Sequence, residues 1–170
     1  DGQGRKATVT DEMGRVTTFE YTPIGLLSAV VDADGKRTTF GYDEVGNKVS
    51  QTDALGRTTR WVHDDAGRMV LRQLPGGQTE TYGYDANGNR TLQVDFNGAQ
   101  RAFRHDAMNR EVEVRHADGT GVVTSYTPTG QAATRTDDAG TTTYDYDTAD
   151  RLVLITQPDG VGIGYRYDLA

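Results

Sequence analysis

The stretch Tyr42-Asp43-Glu44-Val45-Gly46-Asn47-Lys48-Val49-Ser50-Gln51-Thr52-Asp53-Ala54-Leu55-Gly56-Arg57-Thr58-Thr59-Arg60-Trp61-Val62-His63-Asp64-Asp65-Ala66-Gly67 decides the fold. It repeats one phrase, Asp-x-x-Gly, at Asp43–Gly46, Asp53–Gly56 and Asp64–Gly67. An aspartate opening a turn accepts a hydrogen bond from the backbone two residues on, and a glycine in fourth place suits a type I turn. The segments between the turns are six or seven residues long and carry Thr, Val, Trp and His. Such residues favour strands. The stretch therefore reads as strands joined by tight hairpin loops with a glycine bulge.

Outward from there the phrase recurs along the whole chain. One glycine series runs Gly14, Gly35, Gly56, Gly77, Gly98, Gly119, Gly140 and Gly160, with a spacing of 21 six times and then 20. An aromatic series follows seven residues behind it: Tyr21, Tyr42, His63, Tyr84, His105, Tyr126, Tyr146 and Tyr167. Its one irregular step is also 20, which places a missing residue between Gly140 and Tyr146. A second turn series runs Gly4, Gly25, Gly46, Gly67, Gly88, Asn109, Gly130 and Asp150. Asn and Asp are the side chains that best tolerate positive φ. Where the opening Asp is lost, Pro23, Pro75, Pro128 and Pro158 arrive at the second turn position, which wants the fixed φ of proline.

In the longer strands the rings lie two apart, as in Phe40 and Tyr42 or Trp61 and His63, so each pair shares one face. Two parallel ring ladders are predicted. No segment keeps a 3.6-residue apolar period, and no helix is assigned. Leu, Ile, Val and Phe make up 31 of the 170 residues. That fraction lies in the range of disordered chains, but 24 Thr, 9 Tyr and 21 Gly point instead to strands and turns around a thin core.

The predicted architecture is all-β: tandem 21-residue hairpins forming a long curled sheet. The units are 11–31, 32–52, 53–73, 74–94, 95–115, 116–136 and 137–156, with partial units at 1–10 and 157–170. Two strands per unit predict 16 strands from Arg5 to Tyr167, a ribbon on the order of 70 Å long and roughly 20 Å wide. Twist makes so long a ribbon coil. Gly4-Arg5-Lys6 matches the start of a strand and Tyr167-Asp168 that of a turn, so the chain is expected to belong to a longer array. The repeating frame is read as Tyr42, Asp43, Gly46, His63, Asp64, Gly67, Tyr84, Asp85 and Gly88, with Gly35, Gly56 and Gly98 from the other turn series.

The pattern Tyr-Asp-x-x-Gly, strand, Asp-x-x-Gly resembles the YD repeat of the rearrangement-hotspot (Rhs) family. Tyr42-Asp43-Glu44-Val45-Gly46 and Tyr84-Asp85-Ala86-Asn87-Gly88 are close copies. His63-Asp64 and His105-Asp106 are degenerate ones, and Tyr146-Asp147 and Tyr167-Asp168 keep the dipeptide. The resemblance, which extends to teneurins and Tc toxin components, implies a segment of a hollow β-shell. In bacteria such a shell encloses a C-terminal toxin for delivery to competing cells. The same resemblance implies neighbouring repeats, the enclosed cargo and secretion-spike proteins as partners. It also implies a secreted, delivered or cell-surface location. The 170 residues contain no Asp-Pro-x-Gly motif of the kind that carries self-cleavage aspartates.

With 18 basic and 25 acidic residues the net charge is −7, which disfavours nucleic acid. There is no cysteine, so no disulfide, thiol nucleophile or thiolate metal site. No apolar run is long enough to span a membrane as a helix. His63, His105 and His116 raise metal or acid–base chemistry, yet two of them sit in ring slots two repeats apart. Asp32-Ala33-Asp34-Gly35 resembles a calcium loop, but Arg37 and Asp43 occupy its sixth and twelfth places, where an EF-hand needs Gly and Glu. Asn89-Arg90-Thr91 fits a glycosylation sequon. No catalytic residue, metal or cofactor is assigned. The expected function is a structural shell segment; the alternative is a surface module whose loops or rings bind carbohydrate or protein.

Overall fold

A computed structural model describes residues 1–168. Among them are sixteen strands and no helix. The strands are β1 (Thr8–Thr10), β2 (Val16–Tyr21), β3 (Leu27–Val31), β4 (Arg37–Tyr42), β5 (Lys48–Thr52), β6 (Thr58–His63), β7 (Met69–Gln73) and β8 (Thr79–Tyr84). They continue as β9 (Arg90–Val94), β10 (Gln100–His105), β11 (Glu111–His116), β12 (Gly121–Tyr126), β13 (Ala132–Asp137), β14 (Gly140–Tyr146), β15 (Leu152–Thr156) and β16 (Gly162–Gly164). Within each part of the chain, their order in the sheet is their order in the sequence. The protein divides into two units, Asp1–Thr81 and the residues from Tyr82 onward. In the first, each strand from β1 to β8 is antiparallel to the next. In the second the same holds from β9 to β16.

The turns share one construction. At Asp11–Arg15 the Asp11 N–H donates to the Arg15 carbonyl and the Gly14 N–H to the Asp11 carbonyl, both at 3.0 Å, with Gly14 at φ +76°. This is a type I turn closed by a left-handed third loop residue, the commonest three-residue hairpin. Thr22–Leu26 and Leu74–Gln78 repeat the two bonds with Pro23 and Pro75 in the second turn position. Gly46, Gly67 and Gly88 have φ of 94°, 76° and 88°, and their substitutes Asn109 and Asp150 have 62° and 57°.

One turn differs from the pattern and corrects the sequence reading. Asp137 pairs directly with Gly140, leaving a two-residue loop of Asp138 and Ala139. The missing residue is therefore lost from the loop itself and not from the strand after Gly140. Gly140, at φ +121°, has moved into the ladder position that Arg15 holds in the first such turn.

The longer strands end in a bulge. Gly41 faces Ser50 while Tyr42 faces Lys48, so Val49 is an extra residue in β5. Equivalent shifts fall between Val62 and His63, Arg104 and His105, Ser125 and Tyr126, and Asp145 and Tyr146. Because the extra residue belongs to the partner strand, the ring strand keeps its alternation. In β6, Trp61 and His63 are half-buried while Arg60 and Val62 are exposed. In β10, Phe103 and His105 are half-buried between exposed neighbours. Each ring pair shares a face, as the period of two requires.

The core is as thin as the composition predicts. Among the described apolar residues only Ala29 is fully buried. It lies opposite Glu20 on β2 and Thr39 on β4. The Arg37 guanidinium reaches across β3 to the Glu20 carboxylate, at 2.6 Å for the second of two hydrogen bonds. The left-handed loop position sets a sharper constraint. Gly88→Val should lower stability by about 1–3 kcal/mol through backbone strain, and Gly88→Asn by much less. Denaturant melts of the two variants measure the difference; equal midpoints would contradict it.

Candidate functional site

The repeated residues assemble a relay from turn to cation to ring. It starts with the turn aspartates. Asp64 Oδ1 accepts from the backbone N–H groups of Ala66 at 3.0 Å and Arg68 at 2.9 Å, and Oδ2 accepts from Arg68 Nε at 2.8 Å. Asp43 and Asp85 do the same with Asn47 and Asn89 in the place of the arginine. These bonds favour the charged carboxylate. The Arg68 side chain and backbone hold Asp64 below the usual carboxylate range, and Arg110 acts likewise on Asp106. For Asp43 and Asp85 the side-chain amides of Asn47 and Asn89 are the leading cause of the same lowering.

The cation then stacks on a ring 16 residues on. Arg5, tied to Asp1 at 2.7 Å, lies 4.6 Å from the centroid of Tyr21, whose hydroxyl donates to the Lys6 carbonyl at 2.8 Å. Arg110, tied to Asp106 at 2.8 Å, lies 4.5 Å from Tyr126, whose hydroxyl donates to the Glu111 carbonyl at 2.7 Å. Asp147, Arg151 and Tyr167 repeat the set, with 4.7 Å from cation to ring and a 2.9 Å bond to the Leu152 carbonyl. Tyr42 bonds the Leu27 carbonyl in the same way at 2.9 Å. The rings of Tyr21, Tyr126 and Tyr167 are thus fixed at the face by charge and at the tip by a hydrogen bond, and Tyr42 at its tip.

Within the ring rows expected from the sequence, cations stand between successive rings. A partner strand separates successive ring strands, so the rings stand about 10 Å apart. Side chains from that strand fill the interval. Lys48 of β5 lies 4.2 Å from the Trp61 ring and 5.9 Å from Phe40, and Arg90 of β9 lies 4.5 Å from Phe103. The arginines that follow the turn glycines were not singled out in the sequence. Their recurrence at Arg5, Arg15, Arg57 and Arg68, and after Asn109 and Asp150 at Arg110 and Arg151, was the available signal.

The remaining candidates resolve individually. His63 and His105 stand in ring slots, each with Nδ1 shut off from solvent and without a hydrogen-bond partner. His116 opens a turn, its N–H donating to the Thr120 carbonyl at 2.8 Å. Asp32 caps its own turn through the N–H groups of Asp34 and Lys36. Asn89 Nδ2 donates both to Asp85 and to Asn109, so the sequon amide is engaged. Among the described residues no group of three or more His, Cys, Asp or Glu is placed to hold a metal ion. Among the same residues no helix is long and apolar enough to cross a membrane.

An antiparallel array of hairpins, each closed by a capped turn and a clamped ring, defines a structural repeat protein. The chain belongs to the RHS repeat family, whose model, described as RHS Repeat, matches residues 1–35, 21–58, 45–79, 63–100, 84–120 and 126–162. The fold is that of solved Tc toxin assemblies. The TcdB2-TccC3-Cdc42 crystal structure is similar at a TM-score of 0.69 and 17% identity, over 83% of this chain and 9% of that one. A mutant Tc holotoxin pore from Photorhabdus luminescens gives 0.68 and 18%, over 83% of this chain and 9% of that one. TcdB2-TccC3 without its hypervariable C-terminal region gives 0.59 and 15%, over 91% of this chain and 12% of that one. This chain therefore spans about a tenth of the length of the structures it matches. No curated protein matches it in sequence.

Two outcomes are expected from the relay. The carboxylates of Asp64 and Asp106 are lowered in the fold, so the stability they contribute is complete above the unfolded pKa near 3.9 and is lost as pH falls through the folded value. The urea midpoint should hold from about pH 7 to 5 and drop below about pH 4. The drop should be shallower in D64N/D106N. A pH titration of the midpoint that is equally steep in this variant would contradict the capping role. Separately, His63→Tyr supplies the hydroxyl missing from that slot, in reach of the carbonyl of Lys48. It should raise stability by about 0.5–1.5 kcal/mol, measured by thermal or urea melts.

Proposed function

We propose that this chain is a wall segment of an Rhs-type β-shell, in which units 11–31, 32–52, 53–73, 74–94, 95–115, 116–136 and 137–156 are the successive staves. The shell encloses a C-terminal toxin and carries it to a competing cell. Tyr42, Asp43, Gly46, His63, Asp64, Gly67, Tyr84, Asp85 and Gly88, with Gly35, Gly56 and Gly98, form the structural frame and perform no catalysis. The supporting observation is that the recurring residues are used within the frame: the aspartates cap turns, the cations cover rings, and the ring hydroxyls bond backbone carbonyls. Family membership and the Tc toxin fold support the same reading. Partners are then the adjoining repeats, the enclosed cargo and the delivery apparatus, and the protein is a secreted or delivered one.

The test is protease protection in the longer polypeptide that carries these repeats. The segment following the repeats should survive digestion while the repeats are intact. It should be cut in a variant carrying Gly67→Val and Gly88→Val, which strains two turns with φ of 76° and 88°. Cleavage of that segment at equal rates in both proteins would overturn enclosure. Saturable turnover of a substrate by the 170-residue chain, lost on mutating His63, His105 or His116, would overturn the non-enzymatic role.

A further inference from the structure

The two loops that lack the left-handed glycine share a second property. Asn109, at φ 62°, accepts two hydrogen bonds through Oδ1, from Asn87 Nδ2 at 3.1 Å and Asn89 Nδ2 at 2.8 Å. Both donors belong to the preceding turn of the same series, Asp85–Asn89. Asp150, at φ 57°, accepts through Oδ1 from Thr129 Oγ1 at 2.9 Å. Thr129 again lies in the preceding turn of the series, Thr127–Gln131. The loop third residue is thus where the next turn is reached from behind.

The glycine loops of the first unit show the same proximity without the bond. A Cβ added at Gly25 would stand 3.6 Å from Arg5 Nη1, at Gly46 3.7 Å from Leu26 Cδ1, and at Gly67 3.4 Å from Asn47 Oδ1. A side chain of one turn therefore overhangs the third loop position of the following turn. Where the overhanging side chain carries a donor, as before Asn109 and Asp150, a short side chain with an acceptor atom answers it.

We infer that Asn109 and Asp150 are clasps, which fasten neighbouring hairpins at the loop rim, and not merely tolerated replacements of glycine. Backbone ladder bonds bind strand to strand. At these two loops the third residue is joined to the preceding turn through side chains. At two turns of the rim, Asn109 after Asp85–Asn89 and Asp150 after Thr127–Gln131, the clasp offsets the unfavourable left-handed backbone with a bond that glycine cannot make.

The inference is independent of the enclosure reading and predicts a change of sign. Glycine relieves the positive φ of Asp150, so relief alone raises the melting temperature of D150G. If the clasp outweighs the strain, D150G lowers it, by about 1–4 °C for a chain of this size. In a T129A background the donor is gone, and the same D150G change raises the melting temperature. Both glycine variants suit the backbone, so folding is not at risk. Hydrogen exchange at the 147–151 amides supplies a second readout: opening should be faster in T129A and in D150G, and no faster in the double variant than in D150G. The clasp is overturned if D150G raises the melting temperature in both backgrounds, lowers it equally in both, or changes it in neither. N109G, compared with N109G in N87A/N89A, repeats the test at the other loop with the same expected reversal.

Discussion

A single carboxylate caps most of the turns, and the rest of the fold depends on that bond. A turn aspartate such as Asp64 fixes two backbone N–H groups with one oxygen and an arginine with the other. At Asp64 the first oxygen holds the three-residue loop together with the left-handed Gly67. Loop length then sets register, because a one-residue slip turns every side chain to the opposite face. At Asp106 and Asp147 the second oxygen aims an arginine, Arg110 or Arg151, at the ring 16 residues on. In a sheet with almost no buried apolar side chain, local order comes from these polar contacts more than from a hydrophobic interior.

Much of this was legible because glycine, aspartate and proline have few alternative uses in a turn. The two glycine series located the loops, and Asn109 and Asp150 obeyed the same chemistry. The ring pairs declared their face through the period of two. Three features were not legible. The alternation of rings with cations required knowing that a partner strand separates Phe40 from Trp61, and that Lys48 leans between them. The clasps depend on turns about 20 residues apart, a separation at which side-chain reach cannot be read from spacing. The lost residue of the seventh unit was displaced because glycine suits both a loop and the ladder position beyond it, and Gly140 took the second.

The histidines show how a degenerate copy survives. Imidazole is flat and fits a slot shaped for a phenol, so His63 and His105 keep the packing of the row. What they lose is the hydroxyl at the tip, and each also keeps a buried Nδ1 at the base of the ring without a hydrogen-bond partner. Because neighbouring slots hold their own cations and carbonyls, the loss is contained within one rung. An array built this way tolerates imperfect copies better than a common core does, where one misfit strains every neighbour.

The chain-order pairing also has a mechanical consequence. Within either unit, each strand is bonded to the ones before and after it in sequence. A pull on the ends of such a meander loads the outermost strand first, and its bonds open in succession, as a zipper does. Antiparallel strands dragged lengthwise past each other would instead break all their bonds together. Each unit therefore opens from its end a single hairpin at a time, and the hairpins not yet reached keep their pairing.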